Sequence, residues 1–208
     1  MFLCANTILH DLPVRFTLVV VPKWPSYGDK TTRDERIPMN FLELARARFS
    51  CKKYDATPVS DEDLSFVLEA GRLAPTAKNA QPQHIYVLRS GEALAKVDAL
   101  TPCRYGAPVV LLVTYHAREV YSYPGGAYTS GPEDIGIVGT HLALAAADTG
   151  LNSCWVNRFD PDQAHKSFGL AEDEVAVMLL DLGHAAPDAQ PLKNHESRKA
   201  LAETVSYL

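Results

Sequence analysis

The sequence of 208 residues contains no apolar run near the roughly 18 residues that a membrane-spanning helix needs. Phe16 to Pro22, the best early candidate, is far shorter. Cysteine is sparse and scattered. Cys4, Cys51, Cys103 and Cys154 form no CxxC pair and no Cys/His ligand spacing, which argues against a disulfide scaffold or zinc motif and fits a reducing compartment. The seven histidines (His10, His84, His116, His141, His165, His184, His195) include no HExxH or HxxxH pair. They are expected to be isolated surface or core imidazoles, with no metal bound. A basic excess is also missing: 20 Lys+Arg oppose 25 Asp+Glu, a formal charge of −5, so phosphate-neutralising nucleic-acid binding is disfavoured. The first basic side chain is Arg15, so Met1 to Leu12 lacks the basic start of a secretory signal. A cytoplasmic location is the expectation. The sequence has no internal repeat and no dinucleotide-binding glycine fingerprint. It does have 47% hydrophobic residues, enough for one substantial core.

Up to Pro38 the chain mixes a short β-like run, Phe16 to Val21, with the punctuated segment Pro22 to Asp29 and the charged run Lys30 to Arg36. Met39 then precedes Asn40, a good N-cap, and the helix-like Phe41, Leu42, Leu44 and Ala45. The expected organisation is an arm or extension over 1–38, with Met39 the natural start, and one domain over 39–208.

That domain reads as alternating elements. Ser60 and three acidic residues open a helix whose Leu64, Val67, Leu68 and Gly71 share one face. His84 to Leu88 is a strand, Gly91 to Leu100 a helix, and Pro108 to Tyr115 a strand apolar on both faces. Asp134 to Thr149 is a helix apolar almost all round, ended by Gly150, and so is expected in the middle of the molecule. Leu151 to Val156, Asp162 to Phe168 and Val175 to Gly183 follow as strand, short helix and buried strand. The pattern predicts a layered α/β or α+β domain.

Three clusters have the residue types for chemistry. In Arg46 to Tyr54, Arg48, Ser50 and Lys52 alternate, so an extended backbone turns all three to one side as a cradle for a phosphate monoester. A solvated charge run is the alternative. Leu73 to Pro82 is a loop of small and amide side chains between two prolines, either a shaped binding loop or a plain helix-to-strand connection. Gly150 to Phe159 is a strand whose Trp155 could be core or cofactor contact.

Taken in order, these clusters resemble the FMN-dependent nitroreductase family. The family's Arg-x-Ser-x-Arg/Lys motif with a following aromatic matches Arg48, Ser50, Lys52 and Tyr54. Its Ala-Pro-Ser-x-x-Asn-x-Gln-Pro loop is similar to Ala74, Pro75, Thr76, Asn79, Gln81 and Pro82. Further matches are Asp134 with Gly136, Gly150 to Trp155, Leu182 to His184, and the C-terminal basic residue Arg198.

The resemblance covers roughly Met39 to the C-terminus. It implies a three-layer α-β-α, α+β fold with a central, mostly antiparallel sheet, in an intertwined homodimer with two active sites at the interface. It further implies FMN as cofactor and NADH or NADPH (NAD or NADP dependence) as reductant. Hydride would pass through flavin N5 to a nitroaromatic, quinone or similar acceptor in ping-pong order. Arg48, Ser50 and Arg198 would hold the FMN phosphate, with Phe49 beside them. Lys52 would approach the N1/O2 edge, where reduction places negative charge. Pro75, Thr76, Ala77 and Asn79 would come from the partner subunit, and the backbone of Trp155, Val156 and Asn157 would line the N5 side. Many members have Glu-Gly where this chain has Asn157 and Arg158. Arg104 is a candidate for the pyrimidine edge, and Tyr121 to Tyr128 could be a lid or an exposed turn. No catalytic side chain is expected, because the flavin carries the chemistry, and Cys51 and Cys154 are expected to pack rather than react. Other flavin chemistry on the same fold (dehalogenation or heterocycle oxidation), or FMN binding with little turnover, remains an alternative.

Overall fold

In the computed structural model, which describes residues 40–208, six consecutive buried residues from Val109 to Thr114 fix the layering. The arm expected over 1–38, its β-like run and the start at Met39 lie outside the described residues. Strand β2 (Val109–His116) is antiparallel to β1 (Gln83–Leu88) on one side and to β4 (Glu174–Gly183) on the other. Strand β3 (Asn152–Val156) completes the order β1-β2-β4-β3, again antiparallel.

Side chains alternate across a strand, so β2 feeds two cores. Val109, Leu111 and Val113 pack with Leu64 and Val67 of α2 (Asp61–Arg72) and with Ile135, Val138 and Leu142 of α4 (Gly131–Asp148). Val110 and Leu112 pack on the other face with Val97 of α3 (Gly91–Leu100) and Ala164 of α5 (Pro161–Phe168). The result is the expected three-layer α+β sandwich. No helix among the described residues is long and apolar enough to cross a membrane.

Helix starts follow their caps. α1 (Phe41–Ala47) begins with a capping box between Asn40 and Glu43, and Ser60 accepts from the Asp63 amide at the start of α2. Most strand and helix limits lie within a residue of the sequence expectation. α4 is the exception, starting at Gly131 rather than Asp134. Pro132 is accommodated in the first turn, where no intrahelical donor is needed. Asp134 therefore sits inside the helix, buried, accepting from Ser130 at 2.7 Å and from the Ala77 amide at 2.8 Å.

At the far end of the sheet, Glu174 is almost fully buried yet accepts from Tyr86, Thr114 and the Ala171 amide. Burial disfavours its charge, but these donors and nearby His84 outweigh that and hold the carboxyl down to about 2. The expectation of isolated imidazoles therefore fails here. His84 lies 2.9 Å from Glu174, and its ring stacks with that of His116 at 6.0 Å.

Candidate functional site

The segment after α1 runs beside β3. Ser50 forms a parallel bridge with Ser153, and the Cys51 amide donates to the Ser153 carbonyl at 2.9 Å. This extended backbone buries Cys51 and Tyr54, while Arg48 and Ser50 are half-buried and Lys52 is exposed. The four cations of the cluster do not behave alike. Lys53 pairs with Asp188 at 2.5 Å, whereas among the described residues Arg48 and Lys52 have no carboxylate partner.

The C-terminal segment returns to the same place. The Ala186 amide donates to the Lys53 carbonyl, His195 Nε2 lies 3.2 Å from the Arg46 carbonyl, and the His195 ring meets Phe49 edge-on at 6.3 Å. Arg198, three residues on, donates among the described residues only to the backbone carbonyls of His195 and Ser197. A cleft of about 140 Å³ opens beside Arg48 and Phe49, walled by Ala147, Asn152 and Ser153.

Lys52 lies over the Tyr105 ring, 5.6 Å from its centroid. Hydrogen bonding with Tyr105 is the largest influence on the neighbouring Cys103 thiol, and with Thr101 and the charges of Arg158 and Lys52 it lowers that thiol's pKa. Burial instead raises Cys51 and pushes Cys154 up to about 12, so both are packing thiols, as expected. Asp181, on β4 opposite Cys154, is buried with neither carboxyl oxygen hydrogen-bonded among the described residues, and burial pushes it up to about 8. The Tyr54 hydroxyl is likewise buried without a hydrogen-bond partner among the described residues.

Trp155 donates to the Asn157 side chain at 2.5 Å, and Asn157 donates in turn to the Val177 carbonyl at 2.8 Å. The Trp155 ring covers Gly139 of α4, where a Cβ would lie 2.5 Å from it. Val156 is buried among the α3 and α5 side chains. The three side chains are thus committed within the chain.

The loop after α2 is shaped by backbone strain. Lys78, Asn79 and Gln81 all have positive φ, near 54°, 55° and 52°. Thr76 Oγ1 accepts from the Gln81 amide, the Ala77 amide holds Asp134, and Lys78 lies over Tyr121 at 4.5 Å. This loop is not brought to Arg48. Asp134 at one end of α4 and Ala147 at the other are 13 residues apart, about 20 Å along a helix axis.

Tyr121 to Tyr128 belongs to an ordered turn, closed by a Ser122–Thr129 bridge and pinned by Tyr123 to Glu133. Arg104 does not offer a free guanidinium: Asp98 takes it at 2.7 Å through two nitrogens and the Ala107 carbonyl takes the third. Sequence reasoning missed Tyr105, Cys103, Asp181 and the His84–His116–Glu174 cluster. Strand register, not sequence spacing, gathers the His84–His116–Glu174 cluster and sets Asp181 opposite Cys154.

The profile described as "Nitroreductase family" matches residues 45–103 and 101–184. The chain is 35% identical to a nitroreductase family protein of Clostridium difficile 630, whose crystal structure covers 81% of this chain and 98% of its own with a TM-score of 0.76. A structure from Desulfovibrio desulfuricans, provisionally named a nitroreductase and solved in complex with FMN, is 26% identical. It covers 80% of this chain and 95% of its own, with a TM-score of 0.67. The provisionally named NAD(P)H nitroreductase YodC of Bacillus subtilis is 29% identical over 80% of this chain and 98% of its own length. With that profile spanning the strands, the central helix and the segment from Arg48 to Tyr54, the chain belongs to the nitroreductase family.

Proposed function

We propose that the chain is an FMN-dependent oxidoreductase that uses NADH or NADPH to reduce nitroaromatic, quinone or similar acceptors, working as a homodimer. The relative solved with FMN and the NAD(P)H nitroreductase name of YodC support this reading. One observation in the chain itself carries it: Arg48, without a carboxylate partner among the described residues, lines a cleft beside Phe49, and Phe49 meets His195, three residues before Arg198. Two guanidinium groups and the Ser50 hydroxyl suit a phosphate monoester dianion.

The cleft's about 140 Å³ is below the roughly 300 Å³ at which ligand pockets begin, so it suits the tail of FMN rather than the whole. The rest of the site comes from the partner's copy of the 75–79 loop. Held by Arg48, Ser50 and Arg198, FMN would supply the hydride-transfer chemistry between the reduced nicotinamide and the second substrate. Lys52, exposed above Tyr105, would offer positive charge to the edge of the cofactor that gains negative charge on reduction. The Trp155–Asn157–Val177 chain of hydrogen bonds fixes the backbone beyond β3. Neither a general acid nor a nucleophile is required.

Mixing the FMN-loaded protein anaerobically with NADH or NADPH tests the reading. Bleaching of the flavin band, followed by faster reoxidation with a nitroaromatic or quinone than with oxygen, is expected. No bleaching with either nucleotide rules it out.

A further inference from the structure

We propose that His84, His116 and Glu174 form a binding site for one divalent transition-metal ion of the zinc class, which ties β1, β2 and β4 together. The site is separate from the proposed flavin cleft. Glu174 and Gly183 open and close β4, nine residues or about 30 Å apart, and only the Gly183 end neighbours Asn152 and the cleft.

Register creates the cluster. His84 on β1 pairs with Thr114 on β2, and His116 on β2 pairs with Glu174 on β4. Residues 114 and 116 share a face, so all three side chains emerge on one side of three adjacent strands. One ligand atom from each lies within 4.8 Å of the others. Tetrahedral zinc with bonds near 2.1 Å holds its ligands about 3.4 Å apart, so closure demands movements on the order of 1 Å. His84 has that freedom, its side chain being 49% exposed. Glu174, the immobile member, need not move.

The surroundings match what a metal requires. The Glu174 carboxylate is held by Tyr86 at 2.6 Å, by Thr114 at 2.8 Å and by the Ala171 amide at 2.9 Å. Metal-binding carboxylates are oriented by such outer donors. Asp173 lies 3.4 Å from His116 Nδ1, a carboxylate–imidazole pairing that orients a histidine for a metal through its other nitrogen. A cation would replace the proton that His84 Nδ1 and Glu174 Oε1 share at 2.9 Å. A simple ion pair would need only His84. The second imidazole, stacked at 6.0 Å and 21°, adds a donor that the carboxylate does not use. Two imidazoles and one carboxylate favour zinc or a neighbouring transition metal over calcium or magnesium, which prefer oxygen. Water completes the coordination.

The full-length protein, free of any histidine tag and stripped with EDTA, is titrated with Zn²⁺ by calorimetry, beside His84→Ala and His116→Ala. The expected result is one ion per chain, a higher unfolding temperature with zinc, and at least about tenfold weaker binding in each variant. Absence of saturable binding, or equal affinity in the parent and both variants, overturns the proposal. His84 is half-exposed on an edge strand, so His84→Ala decides the matter if His116→Ala does not fold.

Discussion

Arg48 and Lys53 lie five residues apart, yet among the described residues only Lys53 has a carboxylate partner, Asp188, which leaves Arg48 available to an anion. Charge-assisted hydrogen bonds to a phosphate are worth enough that Arg48→Ala or Arg198→Ala should weaken FMN binding about tenfold or more. Titration of the apoprotein, followed by flavin fluorescence, reads the change; parental affinity in both variants would refute the phosphate assignment.

Asp181 poses a different question, because its buried carboxyl has no hydrogen-bond partner among the described residues and burial raises it to about 8 from 3.8. The folded chain therefore keeps this proton to about pH 8, whereas the unfolded chain releases it near pH 4. Between those values unfolding releases a proton, so this group makes stability fall as pH rises, by up to about 1.4 kcal/mol per pH unit. Asp181→Asn should flatten the slope. Urea midpoints at pH 5 and pH 7.5 measure it, and an unchanged slope in the variant contradicts the assignment.

At the scale of elements, much was legible in the sequence. The continuous apolar run from Val109 predicts a strand buried on both faces, and the face shared by Leu64, Val67 and Gly71 predicts α2. The all-round apolar character of residues 134–149 predicts a helix in the middle of the molecule, whereas α4 packs one side on the sheet and leaves Ile137 exposed on the other. Its start was not legible, because Pro132 reads equally as a breaker and as a first-turn residue. Pairing register was not legible either. Nothing in the spacing of His84, His116 and Glu174 announces that β1, β2 and β4 bring them together. Arg104 resembled a free cation only because sequence does not show Asp98 beside it.

The contact between α4 and β3 depends on Gly139, whose missing side chain admits the Trp155 ring and the Met178 sulfur. A methyl group there would lie 2.5 Å from a rigid indole. Gly139→Ala should cost about 1–3 kcal/mol and shift Trp155 fluorescence. Unfolding with unchanged stability would show that the layers yield more readily than this packing implies.

At the scale of the whole molecule, one chain holds the parts of the proposed site apart. Arg48 and Ser50 lie near the C-terminal end of α4, while Thr76 and Ala77 are tied to Asp134 near its N-terminal end. In the proposed homodimer the 75–79 loop of each chain would complete the cleft of the other.

Co-producing differently tagged Arg48→Ala and Asn79→Gly chains tests that claim most directly; glycine keeps the positive φ at position 79 while removing the amide. Each variant alone should bind FMN weakly. If the site spans two chains, the mixed dimer contains one doubly damaged and one intact site, so it should bind one FMN per two chains with parental affinity. If each site is built within a single chain, both are damaged and no tight binding returns, which would contradict the account.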